Sequence, residues 1–87
     1  MKVEIRVDDV SLGTVTVSAE ALEAVRLKFN PSGLVQVNAL KIAAALLYQL
    51  NTDTVSAMPE AGREAAVAKT HVQTASMWGV LAATKGL

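Results

Sequence analysis

Eighty-seven residues with eight basic and eight acidic side chains and no cysteine exclude disulfide staples, thiolate metal sites and the basic field of a protein that tracks long nucleic acid. A single histidine, His71, argues against a protein zinc site or a multi-histidine relay. Apolar residues make up 52% of the chain but aromatic ones only 3%, so Ala, Val and Leu supply more apolar surface than so short a chain buries alone, and self-association is expected.

Residues 2–7 alternate strictly, with Val3, Ile5 and Val7 on one face and Lys2, Glu4 and Arg6 on the other, as in a half-buried strand. Asp8-Asp9 has turn chemistry, and Gly13 offers a second break or a bulge. Thr14-Val15-Thr16-Val17 alternates again. Ser18 suits the N-cap of a helical turn over Ala19-Glu20-Ala21-Leu22-Glu23. Beyond it Val25, Leu27 and Phe29 alternate with Arg26 and Lys28, which predicts a third strand or an extended arm. Pro31 keeps Asn30 out of the helical region, so this extended backbone reaches the Lys28-Phe29-Asn30-Pro31-Ser32-Gly33 segment.

A first long helix is expected over 33–51, with Ser32 or Asn30 as its cap. Val37, Leu40, Ala44 and Leu47 form one stripe, and Leu34, Asn38, Lys41, Ala45 and Tyr48 a more polar one. Asn51-Thr52-Asp53-Thr54 and Pro59 predict a connecting loop. A second helix is expected over 60–84. Ala61, Ala65, Ala68, Val72, Ala75, Gly79 and Ala82 recur in it at alternating spacings of four and three. Small residues in such a seam let two helix backbones approach closely. The expectation is an α+β single domain over 1–87: a small N-terminal antiparallel β-sheet within 1–30, then a two-helix antiparallel hairpin, in an oligomer.

The longest apolar run, Ile42 to Tyr48, falls far short of the ~20 residues of a membrane span. Residues 1–6 carry no signal-peptide core, so a soluble intracellular protein is expected.

Catalytic groups are scarce. Asp8 and Asp9 are consecutive turn residues, and Glu60 and Glu64 suit the dipole of a helix start. His71, beside Thr70 and Gln73, reads as a surface or interface polar residue. No enzyme activity and no cofactor are expected. Binding groups are more plentiful. An aromatic ring, an amide, a hydroxyl and a glycine meet at a helix entrance, flanked by Arg26 and Lys28. Helix N-termini attract anions, and a flat ring beside such a site suits a nucleotide base. Phe29 equally suits the core, and Asn30 and Ser32 equally suit plain capping. Arg63 at the start of the second helix opposes its dipole, so it pairs with an anion, with an acid of a neighbouring subunit, or with solvent alone. Lys69 and Thr70 either hold phosphate oxygens or cover a helix edge.

Two segments add a resemblance. Lys28-Phe29-Asn30-Pro31-Ser32-Gly33, with Val37-Asn38-Ala39-Leu40-Lys41-Ile42-Ala43-Ala44-Ala45-Leu46 after it, resembles the phage anti-Thoeris sponge family, anti-defence protein type one. So does Gly62-Arg63-Glu64-Ala65-Ala66, followed by Ala68-Lys69-Thr70-His71-Val72-Gln73-Thr74-Ala75-Ser76-Met77-Trp78. This second segment is also similar to the helical hairpin of phage anti-CBASS cyclic-dinucleotide sponges. The resemblance implies a homodimer, or a hexamer of dimers, in the host bacterial cytoplasm. It implies capture without turnover of a cyclic ADP-ribose isomer made by a TIR-domain sensor, with cyclic di- or trinucleotides held at a separate site by some members. The ligand-binding set expected on this reading is Arg26, Lys28, Phe29, Asn30, Ser32, Arg63, Lys69 and Thr70, with no long nucleic acid and no membrane as partner. Two alternatives stay open: a helical oligomer without ligand, and a small phage regulatory protein.

Overall fold

The computed structural model describes all 87 residues. The chain opens with an antiparallel hairpin of β1 (Lys2–Val7) and β2 (Val10–Thr16). Asp8-Asp9 closes the hairpin, with Asp8 at φ 53°, a left-handed conformation that short polar side chains tolerate. The register steps once: Ile5 pairs with Gly13 but Arg6 pairs with Ser11, which leaves Leu12 as an extra residue. This is a β-bulge, and Gly13 at φ 137° supplies the backbone angle it needs.

Ser18 caps α1 (Ala19–Ala24), its hydroxyl accepting from the Ala21 N–H at 3.2 Å. The third strand expected from the alternation of Val25, Leu27 and Phe29 does not form. Instead α1 closes with two nested bonds: Arg26 N–H donates to Glu23 O at 2.9 Å, and Leu27 N–H to Leu22 O at 3.1 Å. That closure requires a left-handed residue just past the helix, and Arg26 takes it at φ 54°. Val25 is buried and Leu27 half-buried against the core, so their spacing reflects a turn folded under the helix. Residues 1–30 therefore hold two strands and one short helix.

An antiparallel pair of long helices follows, α2 (Val35–Ala57) and α3 (Gly62–Ala83), joined through a 3₁₀ turn over Pro59–Ala61. The sequence ends the first helix near residue 51, but α2 continues for six more residues. Thr52, Thr54 and Ser56 hydroxyls and the Asn51 amide each donate to a carbonyl four residues back, so these polar side chains bond along the helix rather than in a loop. The expected cap also differs. Leu34 is the N-cap and has no side-chain bond, while Asn30 and Ser32 brace the preceding turn.

Packing follows the 3.6-residue period. α2 buries Val37, Lys41, Ala45 and Gln49, not the expected stripe through Leu40, Ala44 and Leu47. α3 buries Ala65, Val72 and Ser76, with Ala61, Ala68 and Gly79 half-buried and Ala75 and Ala82 exposed. The inward stripe thus slips from the heptad after Val72, as a straight helix must. The close approach does occur at Gly79, where an added Cβ would lie 3.3 Å from Leu40 Cδ2. Val17, Ala21, Val25 and Ala45 form the central core cluster, with Val3, Leu22, Leu27, Ala44, Leu46 and Tyr48 packed around it. It clamps α1 and the end of β2 onto the middle of α2. Trp78, by contrast, is 68% exposed.

Candidate functional site

The turn after α1 carries the site. Lys41 enters it from α2 and is buried, its ammonium donating to Arg26 O at 2.8 Å and also to Phe29 O. Both carbonyls belong to the irregular backbone between α1 and α2, where no helix ladder satisfies them. From α3, Gln73 Nε2 donates to Ala24 O at 3.0 Å. The segment 24–29 is thus tied to both long helices through its carbonyls. Burial, and after it the Arg26 charge, hold the Lys41 pKa below the ordinary lysine range.

Tying the backbone down places two side chains outside. The Arg26 guanidinium lies 4.7 Å from the centre of the Phe29 ring, and the Lys41 ammonium 5.6 Å from it. Cations over an aromatic face gain from its quadrupole. Phe29 is nonetheless 56% exposed, so it is not a core residue. The left-handed backbone at Arg26 costs about 1 kcal/mol relative to glycine, which is stored where the guanidinium is presented.

The adjoining turn is held by a short polar chain. Ser32 Oγ donates to Asn30 Oδ1 at 2.6 Å and accepts from Leu34 N–H at 3.2 Å. Asn30 Nδ2 donates to Leu34 O at 3.0 Å and to Asn38 Oδ1 at 3.1 Å. These bonds use the amide and hydroxyl internally, so Asn30 and Ser32 shape the helix entrance.

Three open concavities meet at Phe29. One of about 640 Å³ runs along α1 through Leu22, Glu23, Arg26, Leu27 and Lys28. A second of about 470 Å³ lies between that turn and α3, lined by Arg26, Lys41, Gln73, Met77 and Leu81 among others. The third, of about 430 Å³, contains Asn30, Pro31, Ser32, Val80 and Thr84. Each falls within the volume range of small-molecule sites, and all are open on one side.

Of the expected set, Arg26, Lys28, Phe29, Asn30 and Ser32 therefore line one continuous surface. The other three do not join it. Lys69 Nζ sits 4.6 Å from the Tyr48 ring centre, midway along the hairpin. Thr70 donates to Ala66 O at 3.2 Å on an exposed face of α3. Arg63 is exposed in the first turn of α3, at the connecting end. Seventeen residues separate it from Val80 beside Phe29, about 25 Å along a helix. Within one chain, Arg63 and Phe29 stand at opposite ends of the hairpin.

Sequence reasoning missed Lys41 and Gln73 as supports. Lys41 has Val37 and Ala45 one turn away on either side, and that apolar spacing signals a lysine carried into the core. Gln73 carries no comparable signal. No group of His, Cys, Asp or Glu side chains is placed to hold a metal ion, and no helix is long and apolar enough to cross a membrane.

The arrangement offers guanidinium and ammonium donors, an exposed ring and a preset turn. No curated protein and no solved structure matches the chain. A family model, described as the Acb2/Tad1 hairpin domain, matches residues 20–84. That span runs from α1 through α3 and contains the whole Arg26–Phe29 surface, so it is three quarters of the chain and every group of the site. The chain belongs to the Acb2/Tad1 hairpin family.

Proposed function

We propose that the protein is a phage anti-defence sponge that captures a cyclic ADP-ribose isomer in the host bacterial cytoplasm and holds it unaltered. Family membership supports the sponge role, and the observation that carries the ligand class is the Arg26–Phe29 pair on a braced turn. A cyclic ADP-ribose isomer presents a pyrophosphate, two riboses and an adenine. The pyrophosphate calls for charge-assisted donors and the adenine for a flat surface. Arg26 and Lys28 supply the first, and Phe29 the second.

The site is completed by a second copy. One chain leaves its concavities open and keeps Arg63 about 25 Å from the ring by helix rise, so the Arg63 end of a neighbouring subunit closes over the Phe29 end of the first. Lys69 and Thr70 lie between these ends and serve the same ligand or a separate site for cyclic di- or trinucleotides. Homodimers or hexamers of dimers satisfy this arrangement.

Sequestration requires affinity without chemistry. Alanine at Phe29 and, separately, at Arg63 tests the assignment. Each substitution is expected to weaken capture of a cyclic ADP-ribose isomer at least tenfold while circular dichroism and sedimentation stay unchanged. Undiminished affinity in both variants contradicts the proposed site.

A further inference from the structure

The hairpin of β1 and β2 lies outside the matched family span, packs on the core through Val3, and leaves both sheet edges unpaired. A two-stranded ribbon is marginal in water by itself. Val7, Val10 and Leu12 at its far end are each more than half exposed. The whole chain exposes 6093 Å², whereas folded monomers of its mass expose about 4,900 Å². The excess of about 1,200 Å² belongs to the whole chain, whose helices carry most of the exposed large apolar residues, so it calls for a partner copy without placing it.

The two edges are not equivalent. β2 carries the bulge at Leu12-Gly13, a device that deters edge pairing. β1 is regular, and its sequence is complementary to itself. Run antiparallel about Ile5, Val3 meets Val7, Glu4 meets Arg6, and Lys2 falls opposite the turn residue Asp8. A register centred on Glu4 would oppose Glu4 to itself and Lys2 to Arg6, with like charges at every polar pair. Registers shifted by an odd number would set apolar residues against charged ones. Only the arrangement about Ile5 matches charge, face and length together.

We propose that β1 pairs antiparallel with β1 of a second copy about a two-fold axis through Ile5, forming one four-stranded sheet. The apolar faces of both ribbons then become continuous, and two Glu4–Arg6 pairs cross the axis. Glu4 and Arg6 already bond within the strand at 2.9 Å, with Ser11 Oγ donating to Glu4 and Arg6 donating to Asp9 O, so the crossed pairs form by exchanging these exposed bonds on the same face. The contact is isologous and closes as a dimer, which a hexamer of dimers accommodates. It is a different contact from the one that closes the ligand site, since neither Arg63 nor Phe29 takes part in it.

The absence of native cysteine makes the two-fold directly testable. Cysteine at Ile5 faces itself at a distance a disulfide spans, whereas cysteine at Val3 faces Val7. Mild oxidation is expected to convert most Ile5→Cys protein to covalent dimer while Val3→Cys crosslinks at least tenfold more slowly. Glu4→Arg and Arg6→Glu each place like charges across the axis twice, so each weakens the dimer about tenfold in sedimentation equilibrium. An equimolar mixture of the two variants restores complementary pairs between chains although neither chain has one internally, and the parent affinity returns. A monomeric parent chain, equal crosslinking at both cysteines, or no recovery on mixing overturns the proposal.

Discussion

Lys41 and Gln49 stand two turns apart on one buried stripe of α2 and grip opposite ends of α1. Gln49 Oε1 accepts from Ser18 N–H at 2.9 Å at the helix start, while Lys41 donates to Arg26 O at 2.8 Å just past its end. Eight residues separate the two grips along α2, about 12 Å at helical rise. The short helix is therefore held at fixed length and angle by polar bonds, and the turn that presents Arg26 and Phe29 inherits that rigidity.

Replacing Lys41 by methionine keeps the volume but strands the Phe29 carbonyl and leaves the Arg26 carbonyl with only its bond from the Phe29 N–H. The expected loss is about 1–3 kcal/mol in urea unfolding. The parent also has a distinct pH response. Its lysine pKa is lowered in the fold by burial first and by Arg26 second. Above the folded pKa the native state binds fewer protons than the unfolded chain, so stability rises with pH until the unfolded lysine titrates near 10.4. The stability difference between parent and Lys41→Met should widen in the parent's favour as pH climbs through that window. A constant difference from neutral pH to pH 10.5 would show that Lys41 does not titrate as the structure indicates.

Arg26→Gly separates stability from function. Glycine takes φ 54° without strain, so the variant should gain about 1 kcal/mol and melt about 4–8 °C higher. It also removes the guanidinium beside Phe29, so capture of a cyclic ADP-ribose isomer should fall at least tenfold. A variant that melts lower, or binds as the parent does, contradicts this reading of the turn.

Gly79 tests the helix contact. Alanine there gains helix propensity of about 1 kcal/mol and meets only the flexible end of Leu40, 3.3 Å from the added Cβ. The gain should win narrowly, leaving Gly79→Ala equal to the parent or slightly more stable. Gly79→Leu overfills the same gap and should lose about 1–3 kcal/mol by thermal or urea unfolding.

Much of the fold was legible where local chemistry and tertiary packing agree. The alternation over residues 2–7 made β1, and Ser18 capped α1. Of the small residues in the α3 seam, Gly79 does sit close against α2, where an added Cβ would lie 3.3 Å from Leu40. The third strand failed because Val25, Leu27 and Phe29 alternate for separate reasons. Val25 enters the core, Leu27 folds back toward it, and Phe29 turns outward. Nothing in an arginine announces a left-handed backbone, so the closure of α1 at Arg26 was hidden. The extension of α2 was hidden as well, because Asn, Thr and Ser serve turns and helix interiors alike. For the site, the Lys28–Gly33 segment marked the right surface, but its buried support from Lys41 comes from 12 residues beyond Phe29. Arg63 stood out by charge alone, and only the hairpin length shows it remote from Phe29 in the same chain.

Isothermal titration of the intact protein with a cyclic ADP-ribose isomer, followed by heat release and mass spectrometry of the nucleotide, tests the central claim most directly. The account predicts saturable binding at micromolar affinity or tighter and recovery of the nucleotide at its original mass. Absence of binding across the cyclic ADP-ribose isomers, or recovery of a cleaved product, would contradict it.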